Sequence, residues 1–474
     1  MTSFDIRLPD PRVQIGAPPI AIVSADAHVG LPARDYIPYL DPQYREHAEP
    51  WLADVATHHE VAGRCGYPFP QEELEIIDTR RAIRNGGEIG NFDPDRRLRE
   101  AEADGVVAEF LHPFGNIGST PFYDVFNSVY SPELRTAGAI AHNRFLVDFC
   151  ATAPERLLGV HLTYPWPDFE AAADQCRIAR EAGARAVVPA QQAGIPGDPC
   201  PGFYDPAWDP FWAACQEYDL VVQVHAGWGK PQGMLAGNLK RAFERAEKAR
   251  ESAVSDNKEL SSALSEAFDT FAERKALWQL MVGGVFDRFP RLKITFAEIH
   301  ADWVPGTLAY LDSLSDEFGD LMKERPSDYW VRHCAVGASL MRLTDVDARD
   351  AVGKDKIMFG TDYPHMEGSW PNTRDWLRAT VSQIPEADAR ALLGGNAIEW
   401  YGLDRDLLER TAMRVGPFPA DILGDQTVDP AMLAHFHKRG GIGKREVSLF
   451  HDQLVEAVGE DTANARSARG INVG

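Results

Sequence analysis

Short β-rich apolar runs recur along this chain, and helix-like segments separate them. Strands and helices that alternate in this way are typical of parallel βα units, in which helices cover a sheet. We assign strands to the runs 20–28, 105–113, 157–165, 184–192, 220–227, 292–300, 333–339 and 356–365. The run at 333–339 has the weakest strand character. Eight units of this kind predict an α/β protein with the (β/α)8 TIM-barrel fold.

The remaining sequence divides into an arm, an insertion and an extension. With 474 residues, the chain is long enough for one elaborated barrel, which we place at 20–403 after an N-terminal arm at 1–19. Residues 229–275 are charged, rich in alanine and helical in spacing, and they follow the fifth strand, where barrels carry active-site loops. We therefore expect a helical insertion there that can serve as a lid. Residues 404–474 form a C-terminal extension for packing or oligomerisation.

Composition excludes several classes of partner. The chain has 71 acidic and 48 basic residues, and the formal charge of −23 disfavours nucleic acid and anionic membranes. The six cysteines form no C-x-x-C pair, as expected for reduced thiols in a cytoplasm. The first twenty residues lack the apolar core of a signal peptide, and no apolar run has the length of a membrane span. We expect a soluble cytoplasmic protein that acts on a small molecule.

Histidines concentrate where the predicted strands end. Five of the fourteen fall at or near the carboxyl ends of these runs, and a sixth lies three residues past Asp362: His28, His112, His161, His225, His300 and His365. In a barrel those ends meet at one mouth, which is where catalytic residues lie. Several histidines on different strands therefore predict a site.

Four residues at these ends have the chemistry of a metal site. Asp26 and His28 are two residues apart, so both side chains point to the same side of the first strand. His225 ends the fifth strand, and Asp362 follows the apolar run of the eighth. Alone, each has an ordinary alternative as a capped strand end, a core histidine or a helix-capping carboxylate. Together they offer imidazoles and carboxylates suited to zinc or another divalent transition metal.

Longer motifs resemble a known family. SADAHV, VHAGW, GGVFDRFPRLKITFAEIHADWVP, IMFGTDYPHMEGSWP and GNAIEWYGL occur in the order found in the amidohydrolase-related family, which includes aminocarboxymuconate semialdehyde decarboxylase and resorcylate-type decarboxylases. The resemblance covers about residues 20–403. It implies one divalent metal, usually zinc or manganese, held by residues that match Asp26, His28, His225 and Asp362. It also implies a homodimer or a larger homo-oligomer.

The chain departs from that family at two strands, and a third strand bears on the number of metal ions. The first-strand pair is often H-x-H in the family, and Asp26 in its place shifts the preference toward manganese, although zinc is our first expectation. The sixth strand lacks the H-G-G-type segment, so His300 is displaced by a residue from the usual catalytic histidine. The fourth strand, ARAVVPAQQ, has no lysine to bridge two ions, which favours one metal over two.

Catalytic roles follow from this placement. We predict that His300 is the general acid or base, with a structural bond to Glu298 or Asp302 as the alternative. Glu298 alternates with His300 along the predicted strand and would position it or meet substrate, and Asp362 would shuttle protons while it binds metal. Five further residues are expected to contact substrate or the ligands, each with ordinary packing as its alternative: His112, His161, Trp228, Trp303 and His365.

Three functions remain open. Hydrolysis of an amide, an ester or a related carbonyl bond by metal-activated water is our leading expectation. The alternative is non-oxidative decarboxylation of an aromatic or unsaturated acid, for which we assign no pocket arginine, and hydration of an unsaturated acid would fit the same site. A catalytically inactive barrel that serves as a binding or assembly module is disfavoured, because every ligand is present.

Overall fold

The structure is a computed structural model, and it describes residues 16–64, 71–115, 120–123, 130–190, 199–227, 270–443 and 451–471. Eight parallel strands run in sequential order around a barrel. Their bounds are β1 Ile22–His28, β2 Val106–His112, β3 Leu157–Thr163, β4 Ala186–Pro189, β5 Val221–His225, β6 Ile294–Ala297, β7 Cys334–Ser339 and β8 Ile357–Gly360. The predicted (β/α)8 barrel is confirmed, including the weak seventh strand.

Helices surround these strands and continue past the barrel. Numbered in chain order, those of the described residues are α1 Ala48–Arg64, α2 Gln71–Ile77, α3 Pro94–Asp104, α4 Pro132–Cys150, α5 Phe169–Glu181, α6 Asp209–Glu217, α7 Phe271–Val282, α8 Val285–Arg288, α9 Val304–Ser313, α10 Pro326–His333, α11 Leu343–Val352, α12 Thr373–Thr380, α13 Glu386–Arg390, α14 Asn396–Tyr401, α15 Arg405–Val415, α16 Pro419–Ile422, α17 Pro430–Arg439 and α18 His451–Ala468. Short 3-10 turns lie at Ala33–Tyr39, Pro42–His47, Gly87–Asn91 and Pro206–Trp208, and a π turn lies at Ala391–Gly395. No described helix combines the length and the hydrophobicity needed to cross a bilayer.

Backbone hydrogen bonds join the first and last strands at the barrel mouth. The Asp362 amide donates to the Asp26 carbonyl at 3.0 Å, and the His28 amide donates to the Tyr363 carbonyl at 2.7 Å. The segment after β8 is therefore held against the end of β1. This contact brings two predicted ligands from opposite ends of the chain to the same place.

All eight strands are shorter than predicted, and at β6 and β8 this changes where predicted site residues lie. β6 ends at Ala297 and β8 ends at Gly360, so Glu298, His300 and Asp362 lie in the loops beyond them. Each of the three has a positive φ, between 52° and 57°. The prediction that Glu298 and His300 alternate along a strand is therefore wrong. Left-handed backbone at residues other than glycine costs energy and is concentrated at functional sites.

The C-terminal extension packs on its own barrel. The buried carboxylate of Asp461 on α18 accepts hydrogen bonds from Trp278 and Gln279 of α7. The buried carboxylate of Glu73 on α2 accepts from Lys438 and Arg439 of α17. Of the predicted insertion at 229–275 and arm at 1–19, residues 229–269 and 1–15 lie outside the described part of the chain.

A buried arginine braces the mouth from outside. Arg97 of α3 lies 2.7 Å from the Glu109 carboxylate of β2 and donates to the carbonyls of His28, at 2.9 Å, and Tyr363, at 3.4 Å. Its guanidinium also stacks on the Tyr363 ring, 4.0 Å from the centroid. One side chain thus holds both segments that carry predicted ligands.

We expect Arg97→Ala to lower the free energy of unfolding by about 3–5 kcal/mol, because the substitution leaves the Glu109 carboxylate buried without its cation. Urea denaturation followed by circular dichroism measures this change. Arg99→Ala is the matched control, since Arg99 is exposed on the same helix and should shift stability by no more than about 0.5 kcal/mol. Equal effects of the two substitutions would contradict the bracing role.

Candidate metal centre

The predicted ligands, which come from three strands, meet at the barrel mouth together with Glu298 and His365. Ligand atoms of Asp26, His28, His225 and Glu298 all lie within 4.8 Å of one another. Those of His28, Asp362 and His365 form a second such group. Because His28 belongs to both groups, the four ligands predicted from the sequence belong to one continuous cluster.

The Asp26 carboxylate is the centre of the first group. Its Oδ1 lies 2.9 Å from His112 Nδ1, 3.3 Å from His225 Nε2 and 3.6 Å from His28 Nε2. Its Oδ2 accepts a hydrogen bond from the hydroxyl of Ser339, at the end of β7. Asp26 has no solvent exposure, so these side chains take the place of water around its carboxylate.

The Asp362 carboxylate joins the two groups. Its Oδ1 lies 3.2 Å from His28 Nε2 and 2.9 Å from His365 Nδ1. Asp362 is fully buried, yet neither carboxylate oxygen accepts a hydrogen bond from the residues that the structure describes. A buried carboxylate without donors is costly unless a cation or a proton satisfies it.

Each imidazole of the cluster has one nitrogen tied to an oxygen acceptor. His28 Nδ1 lies 2.6 Å from the Pro113 carbonyl, His225 Nδ1 lies 2.8 Å from the Ala226 carbonyl, and His365 Nε2 lies 3.0 Å from the Phe114 carbonyl. A carbonyl accepts only from N–H, so this nitrogen carries the proton. The other nitrogen faces the carboxylates, where it would offer its lone pair to an ion held between them, as in histidines that bind metals.

His112 follows the same pattern through a side chain. Its Nε2 lies 2.6 Å from Gln223 Oε1, and the Gln223 amide in turn donates to the Tyr401 hydroxyl at 3.1 Å. This fixes the Gln223 oxygen toward His112 and leaves His112 Nδ1 facing Asp26. The structure therefore places His112 directly against a predicted ligand.

The donor atoms fit a divalent transition metal. Ligands at about 2.1 Å from an ion lie about 3.0 Å apart in octahedral geometry and about 3.4 Å apart in tetrahedral geometry. The separations around Asp26 and Asp362 run from 2.9 to 3.6 Å. His28 Nε2 and both Asp362 oxygens are buried without a hydrogen bond from any described residue. The residues present are those that a bound ion would satisfy.

Charge in the cluster is unbalanced toward the negative. Burial and the Asp362 carboxylate raise the pKa of Glu298 well above its ordinary value. Burial lowers the pKa of His225, but Asp26 and Glu298 outweigh it and raise that pKa to about 9. A cation at this position would lower both pKa values and so reverse both shifts.

The predicted acid or base, His300, has a partner that the sequence did not reveal. Its Nδ1 lies 3.1 Å from the Asp345 carboxylate, which also accepts from the amides of Ala301, at 2.7 Å, and Arg342, at 2.8 Å. The partners expected from the sequence were Glu298 and Asp302, and Asp345 was not among them. Asp345 lies in the first turn of α11 and is fully buried. No local pattern identifies it, because a helix-capping aspartate looks the same anywhere.

Other predicted residues lie in different places. His161 lies on the outer face of β3, since its neighbours Val160 and Leu162 belong to the core cluster inside the barrel. Burial and the nearby His161 lower the pKa of His142 on α4 to about 3, which places these two imidazoles side by side, away from the metal cluster.

Trp303 braces the loop after β6, since its indole donates to the Ile299 carbonyl at 2.8 Å. Trp228 lies outside the described residues. The sequence prediction missed Glu367, which groups with Glu298, Asp362 and His365. Its position two residues after His365 was the only available signal.

Comparisons with known proteins agree with this architecture. The family model described as Amidohydrolase matches residues 123–403. The gamma-resorcylate decarboxylase of a Rhizobium species is 26% identical over 285 residues, which cover 58% of this chain and 79% of the relative. The gamma-resorcylate decarboxylase of a Polaromonas species is 26% identical over 323 residues, which cover 66% of this chain and 88% of the relative.

Solved structures share the fold. An amidohydrolase from Mycobacterium avium subsp. paratuberculosis has a TM-score of 0.56 at 18% identity and covers 81% of this chain and 100% of its own. The 5-carboxyvanillate decarboxylase of Sphingomonas paucimobilis has a TM-score of 0.52 at 19% identity, with the same coverage. At these identities the likeness supports the barrel fold.

We expect His225→Ala to remove about one equivalent of bound metal per chain, because the substitution deletes a ligand from the first group. Elemental mass spectrometry on protein purified without chelators and reconstituted with zinc or manganese measures the loss. His161→Gln is the matched control, since it changes a strand histidine that faces away from the cluster, and it should retain the metal content of the wild type. Equal metal contents in wild type and His225→Ala would contradict the assignment.

Proposed function

The chain belongs to the amidohydrolase family, and from this premise we propose that it is a metal-dependent decarboxylase of an aromatic carboxylic acid. The observation that carries the proposal is the similarity to gamma-resorcylate decarboxylases from two bacteria, which extends over most of their length. These relatives favour decarboxylation, our alternative from the sequence, over hydrolysis, our leading expectation. Hydrolysis becomes the competing outcome of the test.

We propose that Asp26, His28, His225 and Asp362 hold a divalent metal. When bound, such an ion would polarise a substrate oxygen as a Lewis acid. Two carboxylates beside two imidazoles suit manganese as well as zinc, because carboxylates favour harder ions. Both metals therefore belong in the reconstitution.

The reaction needs a proton and a site with little water. An aromatic carboxylate gains a proton at the ring carbon that carries the carboxyl group. The carbon–carbon bond then breaks, its electron pair restores the aromatic ring, and carbon dioxide leaves. Asp26 and Asp362 have no solvent exposure, and His28 has 2%. Burial of this degree limits the water that a competing hydrolysis would need.

We propose that His300 delivers this proton. Asp345 fixes the His300 ring through Nδ1 and stabilises the imidazolium, which leaves Nε2 as the nitrogen that can donate. Asp345 is itself held by two backbone amides, so the pair has one orientation. Asp362 is the second candidate for the proton, because its oxygens accept no hydrogen bond from the described residues.

We expect manganese- or zinc-loaded protein to convert 2,6-dihydroxybenzoate, or a related hydroxybenzoate, into the phenol and one equivalent of carbon dioxide. Liquid chromatography of the phenol and a coupled assay for carbon dioxide measure the two products. Amides and esters of the same acids are tested in parallel, with metal-loaded His161→Gln as a positive control and His225→Ala as a negative one. Turnover of the amides or esters without decarboxylation of any acid would refute the proposal.

For the acid that turns over, His300→Gln should lower kcat by about 10²- to 10⁴-fold, the usual contribution of a general acid. Bound metal should stay at the wild-type level, because His300 lies outside the groups of potential metal ligands. Asp345→Asn should lower kcat less, since it weakens only the orientation of His300. If the kcat of His300→Gln stays within a few-fold of the wild-type value, His300 is not the proton donor. Asp362 would then be assigned that role.

A further inference from the structure

Three side chains at the mouth remain after the first four ligands are assigned. They are Glu298, His365 and Glu367, and their ligand atoms lie within 4.8 Å of one another and of Asp362. Glu298 comes from the loop after β6, and the other two come from the loop after β8. They form a group beside the first site, with Asp362 in common.

We propose that Glu298, Asp362, His365 and Glu367 form a second cation site. Three carboxylates and one imidazole favour a hard divalent ion such as Mn²⁺ or Mg²⁺. Asp362 is shared between the two sites, so the mouth holds a pair of ions rather than one. In the sequence analysis, the absence of a lysine on β4 favoured one ion over two. That absence excludes two ions bridged by a lysine, but it does not exclude two ions that share a carboxylate.

The geometry of Asp362 supports sharing. Its Oδ1 lies between His28 Nε2, at 3.2 Å, and His365 Nδ1, at 2.9 Å. The two imidazole rings stack with their centroids 4.0 Å apart, so their free nitrogens approach the same carboxylate side by side. The fully buried Asp362 accepts no hydrogen bond on either oxygen from the described residues. Two unsatisfied oxygens match two ions.

His365 has the orientation of a ligand. Its Nε2 lies 3.0 Å from the Phe114 carbonyl, which keeps the proton on that nitrogen. The lone pair of Nδ1 is then directed at the carboxylates. This is the arrangement seen at His28 and His225, whose outer nitrogens also donate to backbone carbonyls.

Charge supports the same conclusion. The mouth holds four carboxylates, those of Asp26, Glu298, Asp362 and Glu367. When all four are ionised, one divalent ion would offset two of these negative charges and leave two. A second divalent ion would neutralise the group. The Glu298 carboxylate lies 3.6 Å from His225 Nδ1, beyond hydrogen-bond distance.

The loop that supplies His365 and Glu367 is preorganised. The amide of Ser369 donates to the Thr361 carbonyl at 2.9 Å, and the amide of His365 donates to the Asp362 carbonyl at 2.8 Å. Gly368 closes the turn, since a Cβ there would meet three carbonyl oxygens at 2.9 to 3.0 Å. Side chains on a turn held in this way lose little entropy when they bind an ion.

The experiment counts ions in full-length protein. Wild type is saturated with Mn²⁺, separated from free metal and measured by elemental mass spectrometry, and we expect about two ions per chain. Glu367→Gln should reduce the count to about one, because it removes a ligand of the second site alone. Glu409→Gln, which changes an exposed carboxylate of α15, is the matched control and should keep two. Melting temperatures confirm that each variant is folded.

Electron paramagnetic resonance gives an independent readout. Two Mn²⁺ ions that share a carboxylate give an exchange-coupled spectrum, and Glu367→Gln should give the six-line spectrum of an isolated ion. One ion per chain in saturated wild type, or two in Glu367→Gln, would overturn the second site. Either result would leave the proposed decarboxylase function standing, since that function rests on the first four ligands.

Discussion

The buried carboxylates of Asp26 and Asp362 are the constraint on which the rest of the mouth depends. Asp26 lies on the first strand and Asp362 follows the last, and a backbone hydrogen bond from Asp362 to Asp26 joins them. Both carboxylates approach His28 Nε2, at 3.6 Å and 3.2 Å. Removing a carboxylate from water costs several kcal/mol unless charge or hydrogen bonds replace the water. The surrounding imidazoles replace this water only in part. His28, His225 and His365 each donate from one ring nitrogen to a backbone carbonyl, so only the other nitrogen can interact with the carboxylates. Closing the barrel therefore builds an environment that a bound cation would stabilise.

Features encoded by local pattern were predictable from the sequence. The apolar run of each strand is contiguous, so all eight strands were found, and the spacing of Asp26 and His28 correctly placed both on one side of β1. The orientation of His161 was also readable, because Leu158, Val160 and Leu162 alternate with it and fill the barrel interior. A histidine between two such residues faces outward. The pattern was present in the sequence, and only its consequence for this residue was overlooked.

Features set by distant contacts were not predictable. β6 stops at Ala297, and the chain turns through left-handed residues at Glu298 and His300, which no propensity favours. That turn sends Glu298 to the metal cluster and His300 to Asp345, although an alternating strand would have sent both to one side. Asp345 lies 45 residues from His300, so nothing local marks the pair. The ligand set was predicted only because the longer motifs resembled a family whose ligands are known.

Substrate charge links the proposed reaction to the number of ions. A carboxylic acid that enters a mouth with four carboxylates meets repulsion of roughly 3 kcal/mol for each charge about 5 Å away, at an effective dielectric constant near 20. A neutral amide or ester would meet none. Decarboxylation of an anion therefore depends on neutralising the mouth more strongly than hydrolysis does. With one divalent ion, four ionised carboxylates keep a net negative charge, and a second ion would lower the remaining repulsion. The second site would therefore favour an anionic substrate without being required for its decarboxylation.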